Sequence, residues 1–77
     1  MKTQKKINHH RKYKKFGENL KSVREFLGLT LKDLSIKSGL TEACISQVET
    51  GKREPKLSTI VKLLNALNVK FERLMGS

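Results

Sequence analysis

Leu29 to Gly51, LTLKDLSIKSGLTEACISQVETG, reads as two short helices joined by a glycine turn. The first should begin at Leu31, because the Thr30 hydroxyl can accept from an otherwise unpaired amide and Asp33 sits where a capping-box acid reaches back to Thr30. It should stop at Gly39, since glycine takes the left-handed conformation that ends a helix and turns the chain sharply. The second should open at Thr41, again a good cap, with Glu42 in the first turn, where the helix dipole favours negative charge. It should end near residues 50–51.

At roughly 100° per residue, Thr41, Ile45 and Val48 fall on one side of this second helix, and Glu42, Ala43, Ser46 and Gln47 on the other. The outer four are two small residues and two with hydrogen-bonding ends, a set suited to base edges in a major groove about 12 Å wide. A helix-turn-helix that binds DNA is therefore one reading. The other is an ordinary amphipathic surface helix, whose outer face is polar whether or not it touches anything. Cys44 borders the packing side, which points to a packing role, with a redox switch as the alternative that its place in this helix suggests.

Outward from this pair, the flanks are also helical. Upstream, Phe16, Leu20, Val23 and Leu27 recur at helical spacing, with Asn19, Lys21 and Glu25 opposite, and Gly28 closes the helix. Leu29, Leu31 and Leu34 supply the apolar face of the next one, and Ile36, partly outward by its phase, is either a stray surface residue or part of a partner contact. Downstream, KREPK with the only proline, Pro55, reads as a turn that leaves Lys52 and Arg53 beside the second helix. A fourth helix carries Leu57, Ile60, Leu64 and Leu67 on one stripe, broadened by Val61 and Leu63, with Asn68 as a left-handed cap. A short fifth helix spans Phe71 to Met75. Its neighbourhood holds more apolar side chains, Val69, Phe71, Leu74 and Met75, than so short a helix can bury alone, so a dimer contact is expected there. The expected fold is all-α, a compact five-helix bundle.

The 77 residues leave room for one small core and no large enclosed pocket. Net charge is +10, and seven of the basic residues, Lys2, Lys5, Lys6, Arg11, Lys12, Lys14 and Lys15, precede Phe16 with no acid among them. That stretch holds too little apolar surface to offset the entropy of ordering it. The chain therefore divides into a flexible basic arm, residues 1–15, and a folded domain, residues 16–77. Such charge implies a polyanionic partner, so the arm either follows phosphates or a minor groove, or is a solvated tail. No run approaches the ~18 apolar residues of a membrane span, and no secretion signal is visible. A single cysteine allows no intrachain disulfide and fits a reducing, cytoplasmic setting. His9 and His10 lack further ligands in register, so neither a metal nor another cofactor is expected. No glycine-rich phosphate loop and no Ser/His/acid set is present, and an enzyme is the least supported class.

Taken together, FGENLKSVREFLGLT, LKDLSIKSGLT, ISQVETGKREP and LSTIVKLLNALNV resemble, in order and without a gap, the Cro/repressor type of helix-turn-helix, over about Phe16 to Met75. The resemblance implies a lambda repressor-like DNA-binding domain. It places Glu42, Ala43, Ser46 and Gln47 on bases. Thr41, Lys52 and Arg53 would meet phosphates, and Thr30 would lie near the DNA backbone. Lys56 in the same loop, with Arg11, Lys12, Lys14 and Lys15 of the arm, extends the phosphate-contacting set. Arg24 and Glu49 match a family pair that bridges the first and third helices, and Ser35 takes the slot usually held by alanine. Two departures stand out. Leu31 replaces the glutamine that commonly touches phosphate. Glu42 leads the reading face with a negative charge, which can accept from cytosine but repels phosphate.

The function expected is a sequence-specific transcriptional regulator, a repressor binding a palindromic operator on double-stranded DNA as a homodimer, because one helix of this size reads only a few base pairs. An alternative is an antitoxin that contacts a toxin protein directly and represses its own operon. A third class is a basic module that binds RNA or an anionic surface without sequence preference, for which the arm alone would suffice.

Overall fold

Five helices follow one another: α1 (Gln4–Phe26), α2 (Leu31–Ser38), α3 (Glu42–Glu49), α4 (Leu57–Leu67) and α5 (Phe71–Met75). The computed structural model describes the backbone of residues 4–75 and the side-chain surroundings of residues 13–75, and among these no strand occurs. The all-α, five-helix expectation therefore holds.

The expected border between a flexible arm and the first helix at Phe16 does not. One helix of 23 residues runs from Gln4 to Phe26. Apolar periodicity begins only at Phe16, so it could not report the upstream part. The stretch before it is nevertheless rich in lysine and arginine, which are good helix formers, and has neither proline nor glycine before Gly17. Once the packed segment has formed, adding residues to its N-terminal end carries no new nucleation cost.

The core is one cluster: Phe16, Leu20 and Val23 from α1, Leu34 from α2, Ile45 and Val48 from α3, Leu63 and Leu67 from α4, and Leu74 from α5. Gly17 lets α1 cross the end of α3 closely, since a Cβ there would collide with the backbone carbonyls of Val48 and Glu49. Three expected core positions are corrected. Leu57 is 76% exposed, because it is the first residue of α4 and its side chain lies over the open N-terminal end. Val61 and Leu27 are exposed too. The buried stripe of α4 runs instead through Leu63 and Leu67, with Ile60 and Leu64 packed against the cluster, and α1 stops at Phe26 before Leu27 can turn inward. Ile36 lies on the surface, as its phase indicates.

Candidate nucleic-acid interface

The turn that presents α3 is built from short-range bonds. Thr30 Oγ1 accepts from the Asp33 amide at 3.0 Å, and the Asp33 carboxylate accepts from the Thr30 amide at 2.9 Å, the reciprocal box expected. These bonds to Thr30 hold the Asp33 carboxyl below its ordinary pKa. Gly39 closes α2 with φ of 81° and its amide donates to Ser35. Ser35 Oγ in turn donates to the Leu40 carbonyl at 2.5 Å, so the residue standing in for alanine ties the turn to the helix before it. Thr41 Oγ1 then accepts from the Cys44 amide and opens α3.

The inner face of α3 is fixed from below. Ile45 and Val48 are buried in the core. Arg24 Nε donates to Glu49 Oε2 at 2.6 Å and Nη2 to Oε1 at 3.1 Å, while Nη1 donates to the Leu29 carbonyl at 2.8 Å. The two side chains are only 9% and 4% exposed, and the hydrogen bond to Glu49 raises the Arg24 pKa above its ordinary value against the opposing effect of burial. One guanidinium thus joins α1, the end of α3 and the linker before α2. Removing either partner would leave a buried charge, at a cost of ~3–5 kcal/mol.

The outer face lies open. Glu42, Ala43 and Gln47 are exposed and Ser46 is half-buried. Thr41 was expected on the packing side but is exposed, because an N-cap turns its side chain to the helix end rather than to the core. Cys44 is half-buried at the border of the packed face. Lys52, Arg53 and Lys56 are exposed beside α3, and the loop carrying them folds back onto it: the Lys52 and Arg53 amides donate to the Gln47 carbonyl at 2.9 and 3.2 Å. Thr30 is exposed at the start of α2. Lys14 and Lys15 are exposed on α1, with Lys14 against Gly51. The nearby Glu54 carboxylate raises the Tyr13 phenol pKa above its ordinary value. The side chains of Arg11 and Lys12 lie outside the described residues.

One contact on this face was not foreseen. Arg53 Nε donates to Gln47 Oε1 at 2.9 Å, and Arg53 Nη1 lies 3.9 Å from Cys44 Sγ. A pair six residues apart across a helix end follows no helical period. The only signal would have been a loop short enough to bring KR back over the last turn. Among the described residues no group of three or more metal-ligating side chains occurs, and no helix is long and apolar enough to cross a membrane.

Residues 20–74 match the family model HTH_3, helix-turn-helix. The chain is 48% identical over 61 residues to the HTH-type transcriptional repressor RghR of Bacillus subtilis (strain 168), covering 78% of itself and 45% of that protein. It is 43% identical over 63 residues to the uncharacterized HTH-type transcriptional regulator RghRB of the same organism, covering 80% and 45%. The chain thus spans less than half the length of these relatives. Among solved structures, the restriction-modification controller protein C.AhdI from Aeromonas hydrophila superposes with a TM-score of 0.78 at 35% identity, over 80% of this chain and 94% of that one. An HTH_3 family transcriptional regulator from Vibrio cholerae superposes with a TM-score of 0.82 over 86% of this chain and 37% of that one, and at 24% identity it attests the fold. The chain belongs to the XRE-type helix-turn-helix family of DNA-binding transcription regulators.

Proposed function

We propose that the protein is a sequence-specific transcriptional repressor that binds a palindromic operator as a homodimer. The observation that carries this reading is α3 itself. Its inner side is locked by Ile45, Val48 and the Arg24–Glu49 pair, while Glu42, Ala43 and Gln47 stand exposed on the other. A rigid helix with a free polar face, flanked by Lys52, Arg53 and Lys56, suits a major groove with phosphates on either side. The repressor role is supported by the name of RghR, and a controller role by that of C.AhdI.

The homodimer is supported by apolar surface on the last two helices. Of the four side chains expected there, Leu74 is buried and Val69 half-buried, which leaves Phe71 and Met75 exposed. These two border an apolar groove with Tyr13, Phe16, Pro55 and Ile60. Leu57 and Val61, one turn apart on α4, add to the exposed apolar surface.

The test is Glu42→Ala with Gln47→Ala on a duplex selected by the wild-type protein. Loss of one good base contact costs ~1–3 kcal/mol on the selected site. The double variant should therefore bind that duplex more weakly and random duplex nearly as well. Unchanged affinity for both would remove α3 as the reader.

A further inference from the structure

We propose that Arg53 and Gln47 act as one hydrogen-bond-donating unit that reads a guanine in the major groove. This rests on the reading of α3 as the DNA-contacting helix and names the base it takes. Arg53 had been expected on a phosphate, and Gln47 alone on a base.

The chemistry starts from the contact between them. Arg Nε carries a proton and has no acceptor capacity, so the Gln47 atom at 2.9 Å from it must be the carboxamide oxygen. The carboxamide nitrogen, with its two protons, is then turned away from Arg53. Glutamine alone reads adenine by a two-point contact, its oxygen accepting from N6 and its nitrogen donating to N7. Here the guanidinium occupies the oxygen side of that edge. With one lone pair of that oxygen engaged by Arg53, what the pair chiefly offers is the Gln47 NH2 and the Arg53 Nη groups, which are donors.

Guanine presents two adjacent acceptors, O6 and N7, to the major groove. Adenine and cytosine each present an amino group there, which would meet a donor with a donor. Thymine presents a single acceptor, O4. A unit that presents mainly donors therefore favours guanine over the other three.

The arrangement is held by backbone as well as by side chains. The Lys52 and Arg53 amides both donate to the Gln47 carbonyl, and Thr50 Oγ1 donates to the Ser46 carbonyl at 3.0 Å. Arg53 therefore leaves the chain directly beside Gln47. Its Nη1 lies 3.9 Å from Cys44 Sγ, one turn back at the border of the packed face. Gln47 and Arg53 are themselves exposed, open to a groove.

The experiment is selection from a random duplex library with the wild-type protein, Gln47→Ala and Arg53→Ala, followed by titration on the selected duplex. The position read by the pair is the one whose preference Gln47→Ala abolishes. Wild-type protein should require guanine there. Its replacement by adenine should weaken binding about ten- to one-hundred-fold, and 7-deazaguanine, which lacks the N7 acceptor, should weaken it in the same direction. Arg53→Ala frees the Gln47 oxygen, so the preference at that position should move from guanine to adenine. Two results overturn the pair while leaving α3 as the reader: Arg53→Ala weakens selected and random duplex alike with the preference unchanged, or wild-type protein selects another base at that position. If wild-type protein enriches no sequence at all, the reading of α3 falls and the pair with it.

Discussion

The helix-turn-helix pair and the last two helices solve the same packing problem in opposite ways. In α2 and α3 both starts are capped by threonine side chains, and the one charge pair against the core is satisfied on both sides. In α4 the N-cap, Lys56, makes no side-chain bond, and Leu57, Val61, Phe71 and Met75 remain on the surface of the C-terminal pair. Apart from the exposed Ile36, the first pair is closed by its own residues. The second keeps apolar surface that a copy of the chain would cover in the proposed dimer. A presenting unit that is complete in itself can meet DNA in a fixed orientation, whereas in the proposed dimer the C-terminal pair would set half-site spacing and be completed by association.

That contrast makes the Arg24–Glu49 pair the place where the first unit is easiest to break. Arg24→Met should lower unfolding stability by ~3–5 kcal/mol, because Glu49 would stay buried without a partner. Arg24→Met with Glu49→Leu should recover most of that loss, since replacing a whole buried pair by apolar groups is often neutral. Urea unfolding of both variants checks this, and equal losses in the single and double variants would make the pair a packing element only. Next comes Gly17→Ala, which forces a Cβ against the Val48 and Glu49 carbonyls and should cost about 1–3 kcal/mol by pushing α1 off the end of α3.

Changes on the second unit should behave differently. Leu57→Lys with Met75→Lys touches exposed positions, so unfolding stability should change by about 1 kcal/mol or less. Sedimentation on a duplex with two half-sites should nevertheless shift from two protomers to one. A loss of stability without a change in stoichiometry would place these residues in the fold rather than in the interface.

The smallest effect concerns pH. Bonds to Thr30 lower the Asp33 pKa from its ordinary 3.8, so this cap contributes fully above that value and its contribution is lost as pH falls through the lower folded value. The stability difference between wild type and Asp33→Ala should therefore be constant from neutral pH down to about 4 and shrink below it. Thermal unfolding of both proteins across that range measures it.

What could be read from the sequence follows the range of the interactions. Thr30 with Asp33, Gly39, Thr41 and Asn68 are decided by bonds spanning at most four residues, and each stands where its residue type implied. Arg24 and Glu49 are 25 positions apart, so only the family resemblance linked them. Leu57 followed the correct period and still came out exposed, because periodicity gives the phase of a helix but not where its end leaves the core. The helical stretch from Gln4 has no apolar pattern to detect. The Gln47–Arg53 contact depends on a loop returning over a helix, which no local rule supplies.

The open face of α3, and not the basic N-terminal stretch alone, should meet DNA. Backbone amide resonances of the full chain, followed as a selected operator duplex is titrated in, would show it. The largest shifts are expected at residues 41–47, 52–54 and 56, with much smaller ones there on a random duplex, and shifts before Phe16 with both. Shifts confined to residues before Phe16, with α3 amides unmoved by the selected duplex, would contradict it.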